Sequence, residues 1–265
     1  MIPVSVIIPT YKPQNYLWEC LDSLYGQTFP KDSFEVVIVL NGCNEPYATQ
    51  IKQYISSHEE MHVKFHQTDE PGVSNARNIA LDMIDGEFVT FIDDDDRVSS
   101  TFLEKLLTVA GKDTVALCNT IAFVDNGPEL QDYRIGREYE KKSVQGKQRF
   151  WKPKKYYSGP CMKLIHKDMI GNRRFDKRFK NGEDSLFMFL ISNKMKWCDF
   201  TPPDAVYYRR IREGSALTAH KPMSYKISNA FRLFGAYSSI YLKGFPHYHF
   251  WFFMTRVMGL VKSVL

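Results

Sequence analysis

Strand-like and helix-like segments alternate through the first 120 residues, and this alternation restricts the possible folds more than any other feature. Continuous apolar runs predict four strands, and apolar residues spaced three and four apart predict helices between them. Each strand–helix–strand unit implies a right-handed crossover and a parallel sheet. The predicted strands are VSVIIP (4–9), FEVVIVL (34–40), VKFHQT (63–68) and EFVTFI (87–92), and the predicted helices are near 16–24, 46–58 and 73–84.

Composition is that of an ordinary globular protein, but charge is unevenly placed. The chain has 265 residues, 44% hydrophobic and 25% charged, which allows a large domain with an ample core. Residues 1–120 carry a net charge of −10 and residues 121–265 one of +15. If the chain bound nucleic acid, its acidic half would have to face away from the nucleic acid. A cation site in the first half, with an anionic ligand bound between the two halves, fits the uneven charge equally well.

The second half contains a basic stretch and later helical segments. Residues 137–180 hold 15 Lys or Arg against 4 Asp or Glu. This stretch is interpreted either as a solvated, partly mobile loop or as a flap or acceptor-binding surface. GEDSLFMFLI (182–191) predicts a helix, and DAVYYRRIREGS (204–215) a strand that runs into a basic loop. Residues 223–243 predict a helix with four apolar residues on one face: Ile227, Phe231, Phe234 and Tyr241.

Four aspartates, Asp93 to Asp96, directly follow the fourth predicted strand in the sequence TFIDDDDRV. Adjacent carboxylates repel one another and raise each other's pKa, so this run needs a compensating partner. A solvated loop or a helix N-cap is one interpretation, and a divalent cation site is the other. Oxygen ligands suit Mg²⁺ or Mn²⁺, and open α/β sheets bind ligands at the carboxyl ends of their strands.

Two common binding motifs are absent or poorly placed. No two glycines lie closer than nine residues, so the chain has neither a G-x-G-x-x-G sequence nor a P-loop. Residues 58–62, HEEMH, match the H-E-x-x-H pattern of zinc proteases, whose two histidines must share one helix face. Here the pair spans a predicted helix end just before a strand, which disfavours a zinc site.

Five sequence blocks occur in a recognisable order: VSVIIPTYKPQNYLWECLDSLYGQTFP (4–30), EPGVSNARNIALDMIDGEFVTFIDDDD (70–96), CMKLIHKDMI (161–170), RFDKRFKNGEDSLF (174–187) and VYYRRIREGS (206–215). Together they resemble glycosyltransferase family 2, nucleotide-sugar transferases of GT-A fold. The resemblance implies an α/β, Rossmann-like, mostly parallel sheet flanked by helices. It divides the chain into a nucleotide-sugar-binding part (1–120), an acceptor-binding and catalytic part of the same domain (121–220) and a C-terminal amphipathic, aromatic helical segment (221–265).

The resemblance implies a sugar-donor site at the carboxyl ends of the first strands. Asp95 and Asp93 match the family's metal-binding DxD, which implies Mn²⁺ or Mg²⁺ that absorbs charge on the leaving diphosphate. Tyr11 is expected to stack on the base. Arg77 is expected to reach the base or a phosphate, with a helix-surface ion pair as the alternative. The implied nucleotide-sugar contacts are Pro9, Thr10, Tyr11, Asn41, Arg77, Asp93, Asp94, Arg209 and Arg212.

One position departs from the family pattern. After the second strand the family usually has Asp-Asp-Gly-Ser, and this chain has Leu40-Asn41-Gly42-Cys43. Asn41 therefore stands where an aspartate usually accepts a hydrogen bond from the base. Because an amide can both donate and accept, Asn41 is still expected to hold uracil or another base, and the identity of the base stays open.

Glu183 and Asp184 resemble the family's catalytic pair. Asp184 is then the general base that takes a proton from the acceptor hydroxyl, and the sugar is transferred in one displacement with inversion. Glu183 orients the site or the acceptor. A simple helix N-cap is the alternative for both residues.

Basic residues of the later blocks are expected to face the substrates. Arg209, Arg210, Arg212 and Ser215 are predicted to lie in a loop that closes one or two guanidinium groups over the diphosphate. Which of them face inward is open. Lys163 is expected to line the acceptor side.

Two interpretations of the aromatic, sparsely basic C-terminal segment stay open. It either packs as a helix over the core or approaches the cytoplasmic face of the inner membrane through basic and aromatic side chains. The opening sequence MIPVSVIIPTY predicts a strand rather than a signal peptide, and five scattered cysteines suit a reducing compartment. A cytoplasmic location is therefore expected, with peripheral membrane contact as an open question.

The leading hypothesis is an inverting, metal-dependent glycosyltransferase. It would move a sugar from a nucleotide diphosphate sugar, with UDP as the expected nucleotide, to a hydroxyl of a glycan or lipid-linked glycan in bacterial surface polysaccharide synthesis. No nucleic-acid partner is expected. Two alternatives stay open. A sugar-phosphate nucleotidyltransferase usually has a Gly-rich, Arg-containing loop where this chain has residues 9–12, PTYK. A non-catalytic nucleotide-sugar-binding scaffold is supported only by Leu40-Asn41.

Overall fold

The computed structural model describes residues 2–125, 127, 129–130, 133–212 and 221–264. Within these ranges the first four strands alternate with three helices, as the periodicity predicts. Their bounds are β1 Val4–Thr10, α1 Asn15–Tyr25, β2 Phe34–Asn41, α2 Tyr47–Ser57, β3 His62–Thr68, α3 Val73–Met83 and β4 Phe88–Phe91.

The following strands and helices alternate less regularly, and a 3₁₀ segment at Lys154–Ser158 separates two of the strands. Their bounds are β5 Arg97–Val98, α4 Phe102–Val109, β6 Thr114–Leu117, β7 Asn119–Phe123, β8 Glu129–Leu130, α5 Gly136–Lys142, β9 Gln148–Arg149, β10 Lys163–His166, α6 Lys167–Ile170, α7 Glu183–Ile191, β11 Trp197–Phe200, β12 Val206–Arg210, α8 Met223–Lys243 and α9 Phe250–Val264.

The larger sheet has eight strands in the order β3-β2-β1-β4-β10-β6-β11-β9. Strands β1 to β4 are mutually parallel, and β10 runs antiparallel to both of its neighbours. The strand order reverses beside β1, because β2 and β3 lie on one side of it and β4 on the other. Such a reversal opens a crevice at the carboxyl ends of the strands. Tyr11 directly follows β1, and the aspartate run begins two residues after β4, at this point of reversal.

The core is built on strands that are covered on both faces. All residues of β1 and β2 are buried, as expected of central parallel strands. Helix α1 adds an apolar stripe with helical spacing, and each such aliphatic side chain contributes about 1.5–3 kcal/mol when it is buried. The buried residues of this stripe are Leu17, Cys20, Leu21 and Leu24.

A smaller sheet, β5-β12-β7-β8, lies next to the aspartate run. Strand β12 pairs antiparallel with β5, which begins at Arg97 directly after the fourth aspartate. Arg209 and Arg210 belong to this strand, so their predicted placement in a loop is wrong. Ser215 lies outside the described residues.

The basic stretch 137–180 is largely folded into regular elements. It includes most of α5, all of β9, β10 and α6, and the 3₁₀ segment. Its aromatic residues Phe150, Tyr156 and Tyr157 are buried in the core. The interpretation of this stretch as a solvated, mobile loop is therefore wrong for its aromatic part.

The two histidines of HEEMH lie on different elements. His58 directly follows α2, and His62 is the first residue of β3. The two histidines therefore do not share a helix face, in agreement with the helix end that was predicted between them.

Helices α8 and α9 pack against each other and against α7. Leu233 and Tyr237 of α8 and Phe252 of α9 are buried, and the Phe252 ring lies 5.9 Å from that of Phe189 on α7. The face predicted from apolar spacing in α8 points outward, because Phe231 is 73% exposed. No helix within the described ranges is long and apolar enough to cross a membrane.

Candidate active site

A hydrogen bond joins the carboxyl end of β1 to the aspartate run after β4. Thr10 is the last residue of β1, and its hydroxyl donates to Oδ2 of Asp94 at 2.5 Å. Burial, together with Asp95 and Asp93, raises the pKa of Asp94 to about 7, although the Thr10 hydrogen bond opposes the rise. The predicted residues Thr10, Asp93 and Asp94 therefore meet at the strand-order reversal.

Asp95 is paired with one of the predicted arginines. Nε and Nη2 of Arg212 lie 2.7 and 2.6 Å from Oδ2 of Asp95, and the guanidinium lies 4.5 Å from the centre of the Tyr16 ring. Burial and Asp93 raise the pKa of Asp95, and Arg212 opposes this shift. Arg212 is thus brought to the aspartate run, whereas its partner Tyr16 had no signal beyond helical spacing.

Asp96 has a different environment from the other three aspartates. It is 4% exposed, its Oδ2 accepts from the Tyr207 hydroxyl at 2.6 Å, and its Oδ1 accepts from the Arg210 backbone N–H at 2.7 Å. The Tyr207 hydroxyl also accepts from the backbone N–H of Asp93 at 3.2 Å. Asp96 and Tyr207 therefore hold β12 against the aspartate run.

Arg77 on α3 connects the aspartate run to α7. Its Nη2 donates to Oδ1 of Asp93 at 2.9 Å, and its Nη1 donates to Oδ1 of Asp184 at 2.5 Å. The side chain is 3% exposed, and its guanidinium lies 5.4 Å from the centre of the Phe175 ring. Burial lowers the pKa of Arg77, and the two carboxylates raise it by more. The helix-surface alternative for Arg77 is therefore wrong.

Glu183 and Asp184 occupy the first turn of α7. Gly182 precedes them with a φ of 85°, a left-handed conformation that favours glycine. Burial and the neighbouring Asp184 raise the pKa of Glu183 to about 7. Burial also raises the pKa of Asp184, an effect that Arg77 opposes. Asp93 and Asp184, 91 positions apart in the sequence, thus share one buried guanidinium.

The side chain of Asn41 is engaged by the backbone. Its amide donates to the carbonyl oxygen of Thr10 at 2.7 Å, and its Oδ1 accepts from the N–H of Gly72 at 2.8 Å. The residue is 4% exposed. Of the predicted contacts after strand one, Pro9 is buried within β1, whereas Tyr11 is 50% exposed beside the crevice.

The remaining predicted arginines are held by neighbours in the fold. Arg209 donates to the Tyr133 hydroxyl at 2.7 Å. The side chain of Arg210 is 4% exposed and pairs with Glu19 at 2.5 Å and with Asp125. The sequence left open which arginines close over the diphosphate, and these contacts favour Arg212, which is more exposed, over Arg210.

Lys163 is fully buried and does not line an acceptor surface. Its ammonium donates to the carbonyl oxygens of Gly159 and Cys161 at 2.6 and 2.5 Å. Burial lowers the pKa of Lys163 to about 8. The expectation for Lys163 is therefore wrong, because a buried β10 side chain cannot be recognised as such from its basic context.

The aspartate run has the chemistry of a hard cation site but does not form a complete one. Burial, together with the neighbouring carboxylates, raises the pKa values of Asp94 and Asp95 and so disfavours their charged forms. Within the described ranges, no three His, Cys, Asp or Glu side chains come together around a metal position. A Mg²⁺ or Mn²⁺ ion here would take one or two carboxylates and complete its shell with substrate phosphates and water, which fits these residues.

Two solved structures with similar folds contain bound nucleotide sugars. The Staphylococcus aureus protein TarS, residues 1–349 in complex with UDP-GlcNAc, matches with a TM-score of 0.68 and 24% identity over 89% of this chain and 66% of that one. The mannosyltransferase PcManGT from Pyrobaculum calidifontis, in complex with GDP-Man and Mn²⁺, matches with a TM-score of 0.67 and 17% identity over 100% of this chain and 72% of that one. At these identities the likeness shows the fold, and the predicted α/β fold of GT-A type is confirmed.

Proteins related in sequence take part in the synthesis of teichoic acid and of lipid-linked glycans, according to their names. The minor teichoic acid biosynthesis protein GgaB of Bacillus subtilis (strain 168) is 26% identical over 212 residues, which are 79% of this chain but only 23% of that protein. The GalNAc(5)-diNAcBac-PP-undecaprenol beta-1,3-glucosyltransferase of Campylobacter jejuni (serotype O:2, strain ATCC 700819 / NCTC 11168) is 27% identical over 194 residues, 73% of this chain and 61% of that one. The family described as Glycosyl transferase family 2 matches residues 5–173, and the chain belongs to this family.

Proposed function

We propose that this chain is an inverting, metal-dependent glycosyltransferase that moves a sugar from a UDP-sugar to a hydroxyl group of a glycan or lipid-linked glycan in bacterial surface polysaccharide synthesis. The observation that carries the proposal is the bridge from Asp93 through Arg77 to Asp184. It joins a carboxylate of the sugar-donor side to a candidate base. The UDP-GlcNAc complex of TarS and the teichoic acid role in the name of GgaB support the substrate class.

In this proposal the nucleotide occupies the crevice at the carboxyl ends of β1 and β4. The exposed ring of Tyr11 stacks on the base. Arg212 exchanges its contact with Asp95 for the diphosphate, because a guanidinium suits phosphate oxygens as well as carboxylates. A Mn²⁺ or Mg²⁺ ion held by Asp95 and Asp93 would neutralise charge on the departing diphosphate. Asn41 acts through position, since it holds the backbone at Thr10 and Gly72.

In the transfer step, Asp184 receives the proton of the acceptor hydroxyl. Arg77 holds Oδ1 of this carboxylate, and no described residue donates a hydrogen bond to Oδ2. The acceptor oxygen attacks the anomeric carbon, the bond from that carbon to the diphosphate oxygen breaks, and Oδ2 accepts the proton. UDP leaves with the bonding electron pair. Burial favours this role because a raised pKa makes Asp184 a stronger base.

The base assignment is tested with the Asp184→Asn variant. We expect it to bind UDP-sugar as the wild type does and to lose transfer by at least about a hundredfold, the range of general-base contributions. Asp113→Asn, a change at a partly exposed carboxylate, is the matched control. Sugar-donor affinity is measured by calorimetry and turnover by UDP release. Near wild-type turnover in Asp184→Asn would mean that the base lies elsewhere.

The metal and the nucleotide are tested together. A thermal-shift screen of nucleotide sugars with and without Mn²⁺ identifies the base that the crevice takes. In calorimetry, Asp95→Ala should abolish the Mn²⁺-dependent binding of UDP, whereas the exposed Asp204→Ala should not. Undiminished Mn²⁺-dependent binding of UDP by Asp95→Ala would contradict the assignment of Asp95 as a metal ligand.

We also propose that the C-terminal helices bring the enzyme to the cytoplasmic face of an anionic membrane. An aromatic tip at the turn between α8 and α9 exposes Phe245, Phe250 and Trp251. The partly buried Tyr241 ring joins them, 6.2 Å from Phe245 and 6.4 Å from Phe250, and the rings of Phe250 and Trp251 are 5.4 Å apart. Residues 221–264 contain six Lys or Arg and no Asp or Glu. Exposed aromatic side chains with basic neighbours suit the interface of a lipid leaflet with negative charge.

Vesicle sedimentation tests this contact. The wild type should bind vesicles that contain phosphatidylglycerol and should not bind pure phosphatidylcholine vesicles. The double variant Phe245→Ser/Trp251→Ser should lose most of this binding. Val144→Ser, at an apolar residue that is 83% exposed outside these helices, is the control. Equal binding by all three proteins would contradict a role for the aromatic tip.

A further inference from the structure

A cavity of about 450 Å³ lies beside the proposed base, between α7, α8, α9 and the 3₁₀ segment Lys154–Ser158. Its wall includes Gly182 and Ser185, which flank the Glu183–Asp184 pair on α7. None of the described residues that line it is Asp or Glu. Five cationic side chains do line it: Arg134, Lys154, Lys155, Arg256 and Lys262.

Arg256 is a buried charge with neutral partners only. It is 9% exposed, and its guanidinium donates to the carbonyl oxygens of Tyr157 and Lys154 at 3.0 and 2.9 Å and to the Ser185 hydroxyl at 3.1 Å. No carboxylate among the described residues lies within ion-pair distance of it. Burying an uncompensated charge is costly, and burial together with the nearby Arg134 accordingly lowers the pKa of Arg256. Among the described residues, the partner that this environment lacks is an anion.

The other cations make the cavity mouth strongly positive. Lys155 is partly neutralised by Glu138, at 3.5 Å. Lys154 and Lys262 are exposed, and no described carboxylate pairs with either. Because residues 221–264 contain no Asp or Glu, α8 and α9 add no negative charge of their own. Focused positive potential of this kind attracts multiply charged anions.

We propose that this cavity binds a phosphate group of the acceptor, as a phosphodiester or a pyrophosphate. Arg and Lys side chains are the common protein ligands of such groups. The Ser185 hydroxyl, bound to Arg256, belongs to the residue next to Asp184 in the same helical turn. An acceptor anchored here by its phosphate therefore presents a nearby sugar hydroxyl to the proposed base. The cavity has this role only if the proposed function holds, because the acceptor must reach Asp184.

Binding of inorganic pyrophosphate, measured by calorimetry in the presence of a chelator, tests the site without any turnover. The variant is Lys154→Glu/Lys262→Glu, because both lysines are exposed. It should weaken binding at least about tenfold, since two charge-assisted contacts are lost. Lys243→Glu, an exposed lysine of α8 that does not line the cavity, should change affinity by less than about twofold, because distant surface charges are screened.

Competition identifies the source of the phosphate. Soluble poly(glycerol phosphate) and vesicles that carry a polyprenyl pyrophosphate are each titrated against bound pyrophosphate, with lipid-matched vesicles as the blank. Displacement by either one supports the proposal and names the acceptor class. Displacement by neither, displacement by UDP, or equal losses in Lys154→Glu/Lys262→Glu and Lys243→Glu would overturn it. An active Asp184→Asn enzyme would instead refute the proposed function, so the two failures are distinguishable.

Discussion

Asn41 donates its buried amide hydrogen to the carbonyl oxygen of Thr10 at 2.7 Å, a bond that the aspartate usual at this position in the family cannot make when ionised. Its Oδ1 also accepts from the N–H of Gly72, so one side chain ties the end of β1 to the turn before α3. The departure from the family pattern has a structural reason. If the proposed function holds, specificity for the base comes from other groups around the crevice.

Asn41→Asp is expected to lower the free energy of unfolding by about 1–3 kcal/mol at pH 8, the cost of a buried acceptor facing another acceptor. The introduced carboxyl can donate to Thr10 only when protonated, so its pKa in the folded protein is raised. The penalty is therefore fully present at high pH and shrinks as the pH falls towards 5. Urea denaturation at both pH values measures it.

Asn44→Asp makes the same chemical change at an exposed position of the neighbouring loop and serves as the control. It should change stability by less than about 0.5 kcal/mol at either pH. Equal stability of Asn41→Asp and the wild type at pH 8 would contradict the structural role of the amide.

The Arg77→Lys variant separates the contact of residue 77 with two carboxylates from its positive charge. A lysine keeps the positive charge but cannot reach two carboxylates with a planar fork, so either Asp93 or Asp184 loses its partner. Loss of one charge-assisted hydrogen bond of about 1.5–3 kcal/mol should lower turnover about ten- to a hundredfold. Arg77 also opposes the upward shift in the pKa of Asp184, so the acidic limb of the pH–rate profile should move to higher pH.

The pH profile distinguishes this role from a purely structural one. Arg174→Lys, which alters an exposed ion pair with Asp82, should leave the profile unchanged. A reduced thermal stability of Arg77→Lys with an unshifted acidic limb would show that Arg77 supports the fold without tuning Asp184.

Local patterns predicted the elements, and tertiary contacts decided the roles of several side chains. The continuous apolar runs VSVIIP and FEVVIVL were sufficient to predict β1 and β2, since both strands are buried throughout. Periodicity says nothing about which carboxylates a buried arginine joins across 91 positions. It also could not distinguish Arg212, which meets Asp95, from Arg210, which is held by Glu19 and Asp125.

Asp94 is expected to make the metal-free protein less stable as the pH rises from about 4 to about 7. Its pKa is raised to about 7 in the folded state, by burial and by Asp95 and Asp93. The folded protein therefore binds more protons than the unfolded chain in this range, and its free energy of unfolding falls with pH. Asp94→Asn keeps an oxygen for the Thr10 hydroxyl and removes the charge. It should be more stable than the wild type by about 1–3 kcal/mol at pH 8 and equal to it below pH 4.

Chemical denaturation with a chelator present measures this difference. Asp204→Asn, at an exposed aspartate, should not change the slope of stability against pH. Added Mn²⁺ and UDP should stabilise the wild type at pH 8 and have less effect on Asp94→Asn. A wild-type pH dependence in Asp94→Asn would contradict the raised pKa.

Gly182→Ala is expected to shift the first turn of α7, which carries the proposed base Asp184. Gly182 has a φ of 85°, and an added Cβ would lie 2.6 Å from Cδ1 of Leu233 on α8. Backbone strain and the clash should together cost about 1–4 kcal/mol of stability. The displaced first turn of α7 carries Asp184, so turnover should fall while sugar-donor affinity is kept. Gly235→Ala on α8, where a Cβ meets nothing within 4 Å, should be neutral or stabilising by up to about 1 kcal/mol.

A double-mutant cycle with Leu233→Ala divides the effect of Gly182→Ala into its two causes. Removing the Leu233 side chain relieves the clash but not the backbone strain, so the double variant should be more stable than the sum of the single changes predicts. A coupling energy of about 0.5–3 kcal/mol is expected for residues in contact. Recovery of turnover in the double variant would show that the packing of α8 on α7 positions Asp184. Additive effects on both stability and turnover would instead assign the whole loss to the backbone at Gly182.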